Sequence, residues 1–254
     1  SGDIDLSYDE HNLYNKNLPD FKGWGVDEGK YNELFQLFTQ RARTATPEQT
    51  SLRAMVELIS NKLDENSSEI EVDTKSSGKG TIFCSIPQYN PQGQKLNKNV
   101  QADINIGSPD WLRFSYHSNM YQDNVKGLHR TQLILTLFSF KGRIFNHAIG
   151  VINKETRENE AKNPEEAAAL LNRLFKFEVT PDILNDYHKL ISFLKTNLNE
   201  EDYKNVISKY LRILDLTRAD IPNDLQQFWI DNQERLQLTG KYLPDNSNLL
   251  QYKK

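Results

Sequence analysis

The stretch from Thr131 to Asn153 restricts the fold more than any other part of the chain. Two apolar runs, rich in Leu, Ile, Phe and Val, flank the dipeptide Lys141-Gly142. Two runs of this kind around a two-residue turn are typical of a β-hairpin. The sequence therefore predicts one long hairpin in this stretch, and with it a β-sheet.

The register of that hairpin predicts the surroundings of one histidine. If Phe140 pairs with Arg143 across the turn, then Phe138 lies opposite Phe145. His147 then lies on a face of the sheet that is otherwise apolar. A histidine in such a place is either a core residue or part of a site.

The composition of the chain excludes several classes of protein. Of its 254 residues, 37% are hydrophobic and 26% are charged, as in ordinary globular domains. A net charge of -4 gives no general attraction to nucleic acid or to anionic membranes. No apolar run approaches the roughly 20 residues of a membrane span, and one cysteine excludes an intrachain disulfide. We expect a soluble protein that binds no nucleic acid, and the composition leaves its compartment and oligomeric state open.

The chain begins with a polar segment. Residues 1–46 are predicted to form an irregular lead with one short helix, because Tyr31, Leu34, Phe35 and Phe38 recur at helical spacing.

Residues 47–155 are predicted to form an antiparallel sheet lobe that begins with a helix. Thr46, Pro47 and Gln49 have the order of an N-cap, a first-turn proline and a capping box. From residue 69 the apolar pattern has a period of two, and short links favour antiparallel neighbours. The long polar stretch 87–99 is predicted to be an exposed arm or a functional loop. The candidate strands are 69–74, 81–86, 100–106, 111–117, 132–140 and 143–152.

Residues 160–254 are predicted to form a C-terminal layer of about four helices. Helix start signals precede the apolar stripes at Asn163, Thr180, Asn199 and Pro222. Strands followed by helices indicate an α+β fold. We therefore expect one compact unit in which the sheet, of about six strands, packs with an N-terminal helix and this helical layer.

The segment from Arg113 to His117 contains a group of residues that indicates an enzyme. A strand ending in Tyr-His and followed by a short helix that ends at Gly127 resembles the first motif of diphtheria-toxin-like ADP-ribosyltransferases. The resemblance implies an NAD-using group-transfer enzyme in which His117 holds the ribose of NAD. It also implies that Glu178 is the late glutamate, which stabilises the oxocarbenium-like transition state.

The chain departs from that family at two places. Where the family has Gly-Thr after the histidine, this chain has Ser118-Asn119. The family sandwiches the nicotinamide between two later tyrosines, but no tyrosine occurs between Tyr121 and Tyr187.

A second kind of enzyme is indicated by Cys84 and His147. The order cysteine then histidine, with the histidine on a strand, is that of papain-like and transglutaminase-like enzymes. A cysteine nucleophile needs a lowered pKa, which a helix N-terminus or a charged histidine usually provides. Cys84 lies in the middle of a predicted strand instead, which favours a buried structural cysteine.

The sequence leaves two classes of function open. None of the five histidines forms HxH, HxxxH or HExxH, so no metal-ligand spacing is present. The leading hypothesis is a protein-interaction or regulatory module, such as a bacterial effector secreted into a host cell, with another protein as its partner. The alternative is an enzyme on the sheet lobe, either a transferase that uses NAD or a cysteine-dependent hydrolase. The candidate catalytic residues are Arg113, His117, His147 and Glu178.

Overall fold

The computed structural model describes residues 4–42, 45–75, 80–119 and 124–236. Within these residues the chain has the predicted α+β fold. It divides into two compact units. The first unit contains the described residues up to Arg113 together with 146–150 and 154–158, and the second contains 114–145, 151–153 and the described residues from Asn159 onward. The predicted boundaries at residues 46, 155 and 160 stay predictions, and Tyr121 and residues 237–254 lie outside the described part.

The first unit begins with a strand and a series of short elements that lead into two helices. A 3₁₀ helix, Glu10–Leu13, follows the first strand. The elements are β1 (Ile4–Asp9), β2 (Tyr14–Asn15), β3 (Leu18–Pro19), α1 (Phe21–Trp24), α2 (Glu28–Arg41), α3 (Pro47–Asn66), β4 (Glu71–Val72), β5 (Thr81–Tyr89), β6 (Lys95–Gly107) and α4 (Pro109–Ser115).

The start of α3 forms as the sequence predicts. The Thr46 side chain accepts a hydrogen bond from the Gln49 amide at 3.2 Å, and the Gln49 side chain accepts one from the Thr46 amide at 2.8 Å. These two bonds satisfy amide groups that the first turn of a helix leaves without partners. The predicted capping box is therefore confirmed, as is the short helix that contains Tyr31 and Phe38.

The main sheet has four strands in the order β1-β6-β5-β4. β5 is antiparallel to both β4 and β6, as the sequence predicts. β1, however, runs parallel to β6, with Ile4 opposite Ala102 and Tyr8 opposite Ile106. The prediction of an irregular lead was therefore wrong for residues 4–9. Their alternation of apolar and polar side chains is the usual pattern of a strand.

The core of the first unit combines residues from this sheet with residues from α2 and α3. Phe38 of α2 and Met55 and Val56 of α3 are buried together with Ile82 of β5 and Ile106 of β6. Burial of such side chains contributes about 1.5–3 kcal/mol each relative to exposure.

Most of the remaining elements belong to the second unit. A 3₁₀ helix, Asn223–Leu225, precedes the last helix. The elements are α5 (Gly127–Phe140), β7 (Arg143–Asn146), β8 (Gly150–Asn153), β9 (Asn159–Ala161), α6 (Pro164–Phe175), α7 (Pro181–Leu184), α8 (Tyr187–Asn197), α9 (Glu200–Leu216) and α10 (Gln226–Leu236). β7, β8 and β9 form a three-stranded sheet in that order.

The predicted long hairpin is wrong in its first half, and its second half, predicted as one strand at 143–152, is divided into β7 and β8 with His147 in the turn between them. Residues 127–140 form the helix α5, and the prediction that Gly127 ends a helix is also wrong, because α5 begins there. Most of α5 is buried, and a helix without a polar face shows no helical period in its sequence. Phe138 and Phe145 do contact each other, with ring centroids 6.3 Å apart, but they do so from a helix and a strand.

The strand predicted at 111–117 is also a helix. Residues 109–115 form α4, in which Trp111, Leu112 and Phe114 are buried. This apolar run, like that of α5, is surrounded by other residues, so its pattern does not distinguish a strand from a helix. The described residues 111–117 therefore do not form the strand ending in Tyr-His on which the transferase resemblance depends.

The C-terminal helices begin where the sequence predicts. Asn163, Thr180 and Asn199 accept hydrogen bonds from amides of the first turns of α6, α7 and α9. The helix that starts at Thr180 ends at Leu184, and α8 starts again after its own N-cap, Asp186.

Arg130 connects three parts of the second unit from a buried position on α5. Its guanidinium donates to the Leu184 carbonyl at 3.1 Å, to the Ser115 carbonyl at 3.3 Å and to the Phe114 carbonyl. The guanidinium also lies 5.1 Å from the centroid of the Phe114 ring. These bonds join α5 to the C-terminal ends of α4 and α7.

Candidate functional site

The candidate site lies on the outer part of the β5–β6 hairpin of the first unit. Among the described residues, β1 pairs with β6 at residues 102–107, and β4 pairs with β5 at Ser85 and Cys84. Residues 86–100 extend beyond these described strand pairings, and we call these residues the arm. The stretch 87–99, predicted as an exposed arm or loop, is this projecting hairpin.

Local hydrogen bonds form the tip of the arm. The Asn90 side-chain oxygen accepts from the amides of Gln92 at 3.0 Å and Gln94 at 2.9 Å. The Asn90 amide donates to the Gln94 carbonyl at 2.9 Å. Gly93 has a φ of 78°, which glycine adopts without the steric cost that other residues would incur. The tip thus forms from its own sequence.

The arm exposes two large apolar side chains. Tyr89 is 51% exposed and Leu96 is 38% exposed. The Tyr89 hydroxyl donates to the Glu69 carboxylate at 3.5 Å, and the Lys95 ammonium lies 3.4 Å from the same carboxylate. Such an exposed ion pair contributes at most about 1 kcal/mol. The two apolar side chains are therefore the groups of the arm that would gain most from burial against a partner.

The arm is also positively charged. From Gly80 to Ala102 the chain has two lysines, Lys95 and Lys98, and no Asp or Glu. Lys98 makes no ion pair with any described residue.

The pairing with β5 determines which backbone groups of β6 face outward. The Ile106 amide donates to the Gly80 carbonyl at 2.7 Å, so every second amide from Ile106 to Val100, where the register is regular, faces β5. The amides of Gln101 and Asn99 alternate with those positions and face away from β5. No strand among the described residues pairs with β6 along 95–101.

A broad depression of about 680 Å³ lies at the base of the arm. Residues of all three strands β4, β5 and β6 line it, among them Glu71, Asp73, Phe83, Ser85 and Gln101. Its two carboxylates are those of Glu71, in β4, and Asp73, just after β4. They lie on the β4 side of the depression, because β4 and β6 are on opposite sides of β5 in the sheet. The depression can accept a polar or cationic group.

The structure places Cys84 in the core side of β5. The residue is 6% exposed, and its thiol donates to the Ala102 carbonyl, with Sγ 3.4 Å from the oxygen. Burial raises the pKa of the Cys84 thiol, which is the opposite of what a nucleophilic cysteine requires.

His147 lies in the turn between β7 and β8, next to Ala148, which packs into the core of the first unit. Burial lowers the pKa of His147, so the imidazole is neutral near pH 7. A neutral imidazole cannot lower the pKa of a thiol by its charge. The predicted roles of Cys84 and His147 stay predictions.

His117 lies just after α4 rather than at the end of a strand. Its Nε2 atom is 3.0 Å from the side-chain oxygen of Asn119. The Asn119 amide donates to the Asn185 carbonyl and to the Asp186 carboxylate, both at 3.3 Å. No local signal in the sequence points to Asn185 and Asp186, because they lie 66 and 67 residues from Asn119 along the chain.

The other two candidate residues are on the surface. Arg113 is an exposed residue of α4 in the first unit, and Glu178 is exposed between α6 and α7 in the second. Their catalytic roles, like those of His117 and His147, stay predictions.

Within the described ranges, no group of three or more His, Cys, Asp or Glu side chains could hold a metal ion. The helices of the same ranges are all too short or too polar to cross a membrane. Comparisons of the chain with protein-family models, curated proteins and solved structures give no match.

Proposed function

We propose that the chain is a protein-interaction module and that the arm is its contact surface. One observation carries the proposal: a hairpin that extends beyond its neighbouring strands and exposes Tyr89 and Leu96. Aromatic residues are enriched where proteins contact each other, because they bury a large area with few rotatable bonds. This agrees with the interaction function predicted from the sequence.

Site-specific photo-crosslinking tests the proposal. In cells that express the chain, a benzophenone amino acid is placed at position 89 or 96, and at Leu216 as the control. Leu216 is an apolar residue of α9 that is 81% exposed and lies outside the arm. We expect the probes in the arm to capture a protein that the probe at position 216 does not capture.

Binding to the purified partner completes the test. Replacing both Tyr89→Ser and Leu96→Ser should weaken its binding at least about tenfold, because interface anchors each contribute more than about 1 kcal/mol. Leu216→Ser should leave the binding unchanged. Identical adducts at all three positions, or no adduct in the arm, would contradict the proposal, as would undiminished binding by the double variant.

A further inference from the structure

We propose that His129 forms an acid-sensitive latch, in which its imidazole joins the start of α5 to the chain between α9 and α10 near neutral pH and releases the start of α5 in mild acid. All of the groups involved belong to the second unit. The inference is therefore independent of the arm and of the function proposed for it. Histidine is the side chain whose ordinary pKa allows a change of charge in this pH range.

Two hydrogen bonds determine which form of the imidazole the fold requires. The Nδ1 atom of His129 lies 2.8 Å from the Lys126 amide nitrogen, and its Nε2 atom lies 2.8 Å from the Asp220 carbonyl oxygen. A backbone amide donates and a carbonyl accepts. Nδ1 must therefore be unprotonated and Nε2 must carry the proton, so the two bonds together require the neutral ring.

The ring is buried where it makes these bonds. His129 is 1% exposed, so a ring atom that loses its partner inside the fold gains no hydrogen bond from bulk water. The backbone of the same residue is also held, because the Tyr210 hydroxyl of α9 donates to the His129 carbonyl at 2.9 Å. A change in the protonation of the ring is therefore relieved by movement of the residues that precede it.

A proton on Nδ1 breaks one of the two bonds and leaves the other. The charged ring has an N–H group at each nitrogen, so Nδ1 and the Lys126 amide become two donors that face each other. Nε2 still donates to the Asp220 carbonyl. The positive charge also lies in the first turn of α5, where the helix dipole is unfavourable to a cation. Acid therefore acts on the start of α5 and leaves the bond to Asp220 in place.

The tyrosines near the ring do not take part in this titration. The Tyr187 ring of α8 packs against the imidazole with the centroids 6.5 Å apart, and its hydroxyl donates to the Asp224 carboxylate at 3.0 Å. Burial raises the pKa of Tyr187 and of Tyr210. Both hydroxyls are therefore protonated at neutral and at acid pH.

The nearest charges act on His129 in opposite directions. Burial is the largest influence and lowers the pKa of the imidazole. The hydrogen bond to the Asp220 carbonyl and the Asp220 carboxylate raise this pKa in part, and the Lys126 ammonium lowers it. The net effect is a lowered pKa, so the closed latch holds a neutral ring and the open latch takes up the proton first.

The size of the response follows from this difference. If the ring has its ordinary pKa of about 6.5 when the latch is open, and the closed latch takes up no proton, the equilibrium constant for opening rises about tenfold from pH 7.5 to pH 5.5. Opening also exposes Val125, which is 6% exposed in the closed form and lies next to Lys126. The latch therefore presents an apolar side chain in acid that is covered at neutral pH.

Amide hydrogen exchange of the full chain, resolved by NMR, tests the latch. The protection factor of the Lys126 amide, corrected for the intrinsic exchange rate, should fall about tenfold from pH 7.5 to pH 5.5. Amides in the middle of α9 should stay better protected than Lys126 at pH 5.5, because only the start of α5 opens. An unchanged protection factor at Lys126, or equal protection of Lys126 and α9 in acid, would overturn the proposal.

Two variants separate the two bonds of the latch. In His129→Asn the side-chain oxygen takes the place of Nδ1 and accepts from the Lys126 amide without titrating, so the protection of Lys126 should be independent of pH. In His129→Gln no acceptor stands at that place, so the Lys126 amide should be weakly protected at both pH values. His188→Gln, at an exposed histidine of α8, is the control and should keep the tenfold response. A response of the same size in His129→Asn as in the unchanged chain would contradict the latch.

The ring itself gives a test that needs no variant. Long-range ¹H–¹⁵N spectra of the unchanged chain distinguish protonated from unprotonated ring nitrogens. At pH 7.5 we expect Nδ1 of His129 without a proton and Nε2 with one. A proton on Nδ1 at pH 7.5 would overturn the proposal, even if a variant fails to fold. Thermal unfolding of each variant verifies that it is folded.

Discussion

Replacing Arg130 with methionine should destabilise the second unit. Methionine keeps most of the volume of the side chain and removes the guanidinium from a position that is 0% exposed. The Leu184 carbonyl loses the donor at 3.1 Å. The carbonyls of Ser115 and Phe114 each keep another donor, from the Thr131 hydroxyl at 2.8 Å and from the His117 amide at 3.3 Å.

The magnitude follows from these three acceptors. A hydrogen bond to a charged group contributes about 1.5–3 kcal/mol, and an acceptor left buried without a donor costs a comparable amount. The Leu184 carbonyl loses its guanidinium donor, and the other two carbonyls lose one of their donors. Burying methionine costs less desolvation than burying a guanidinium, which offsets part of this loss. Together these effects should lower the free energy of unfolding by about 3 kcal/mol.

Urea unfolding followed by far-UV circular dichroism measures this change. With a slope of about 2–3 kcal/mol per molar urea, the midpoint of the affected transition should fall by roughly 1 M. Arg130→Lys should be intermediate, because its ammonium keeps the charge but lacks the planar fork of donors. Arg212→Met, at an exposed position of α9, is the control and should stay within about 0.5 kcal/mol of the unchanged chain. If the free energy of unfolding of Arg130→Met also lies within about 0.5 kcal/mol of that of the unchanged chain, the guanidinium does not hold these helices together.

Three further predictions concern single groups. The Nδ1 atom of His129 accepts from the Lys126 amide and its Nε2 atom faces the Asp220 carbonyl, and burial lowers the pKa of this imidazole. The free energy of unfolding should therefore fall as the pH drops below about 6.5, where the histidine of the unfolded chain takes up a proton. Urea titrations at pH 7.5 and 5.5 should show a smaller change in the free energy of unfolding for His129→Gln than for the unchanged chain. An equal change in both would be inconsistent with this account. A thiol reagent should label Cys84 slowly in the folded chain and rapidly in urea, because the thiol is buried and its pKa is raised; fast labelling of the folded chain would show that β5 opens readily. Thr46→Ala should cost about 1 kcal/mol in urea unfolding, since it removes the N-cap of α3, whereas Thr46→Ser should cost little, and equal losses in both variants would argue against the cap.

The local rules of helix capping predicted the helix starts well. Thr46, Asn163 and Asn199 each accept a hydrogen bond from an amide three residues later. The partners are so close in sequence that the remainder of the fold has little influence on them. The strands β5 and β6 were also predicted, because their alternation of apolar and polar residues is maintained over several positions.

Two of the failures, those at α4 and α5, occur in helices that are largely buried. α5 is apolar on most sides because other residues surround it, and a fully buried helix and a buried strand have similar sequences. The same reason applies to α4, and because residues 109–115 are helical, the strand required by the transferase resemblance does not form there.

The arm shows the division between sequence and tertiary structure most clearly. The sequence by itself determined that residues 87–99 are exposed and carry lysines without acidic neighbours, because composition and turn residues act locally. Only the tertiary structure decided that β1 pairs in parallel with β6 from Ala102 to Gly107 and that the amides of Asn99 and Gln101 face away from β5. Strand pairing joins residues that are far apart in the chain, so the neighbours of each strand depend on the whole fold.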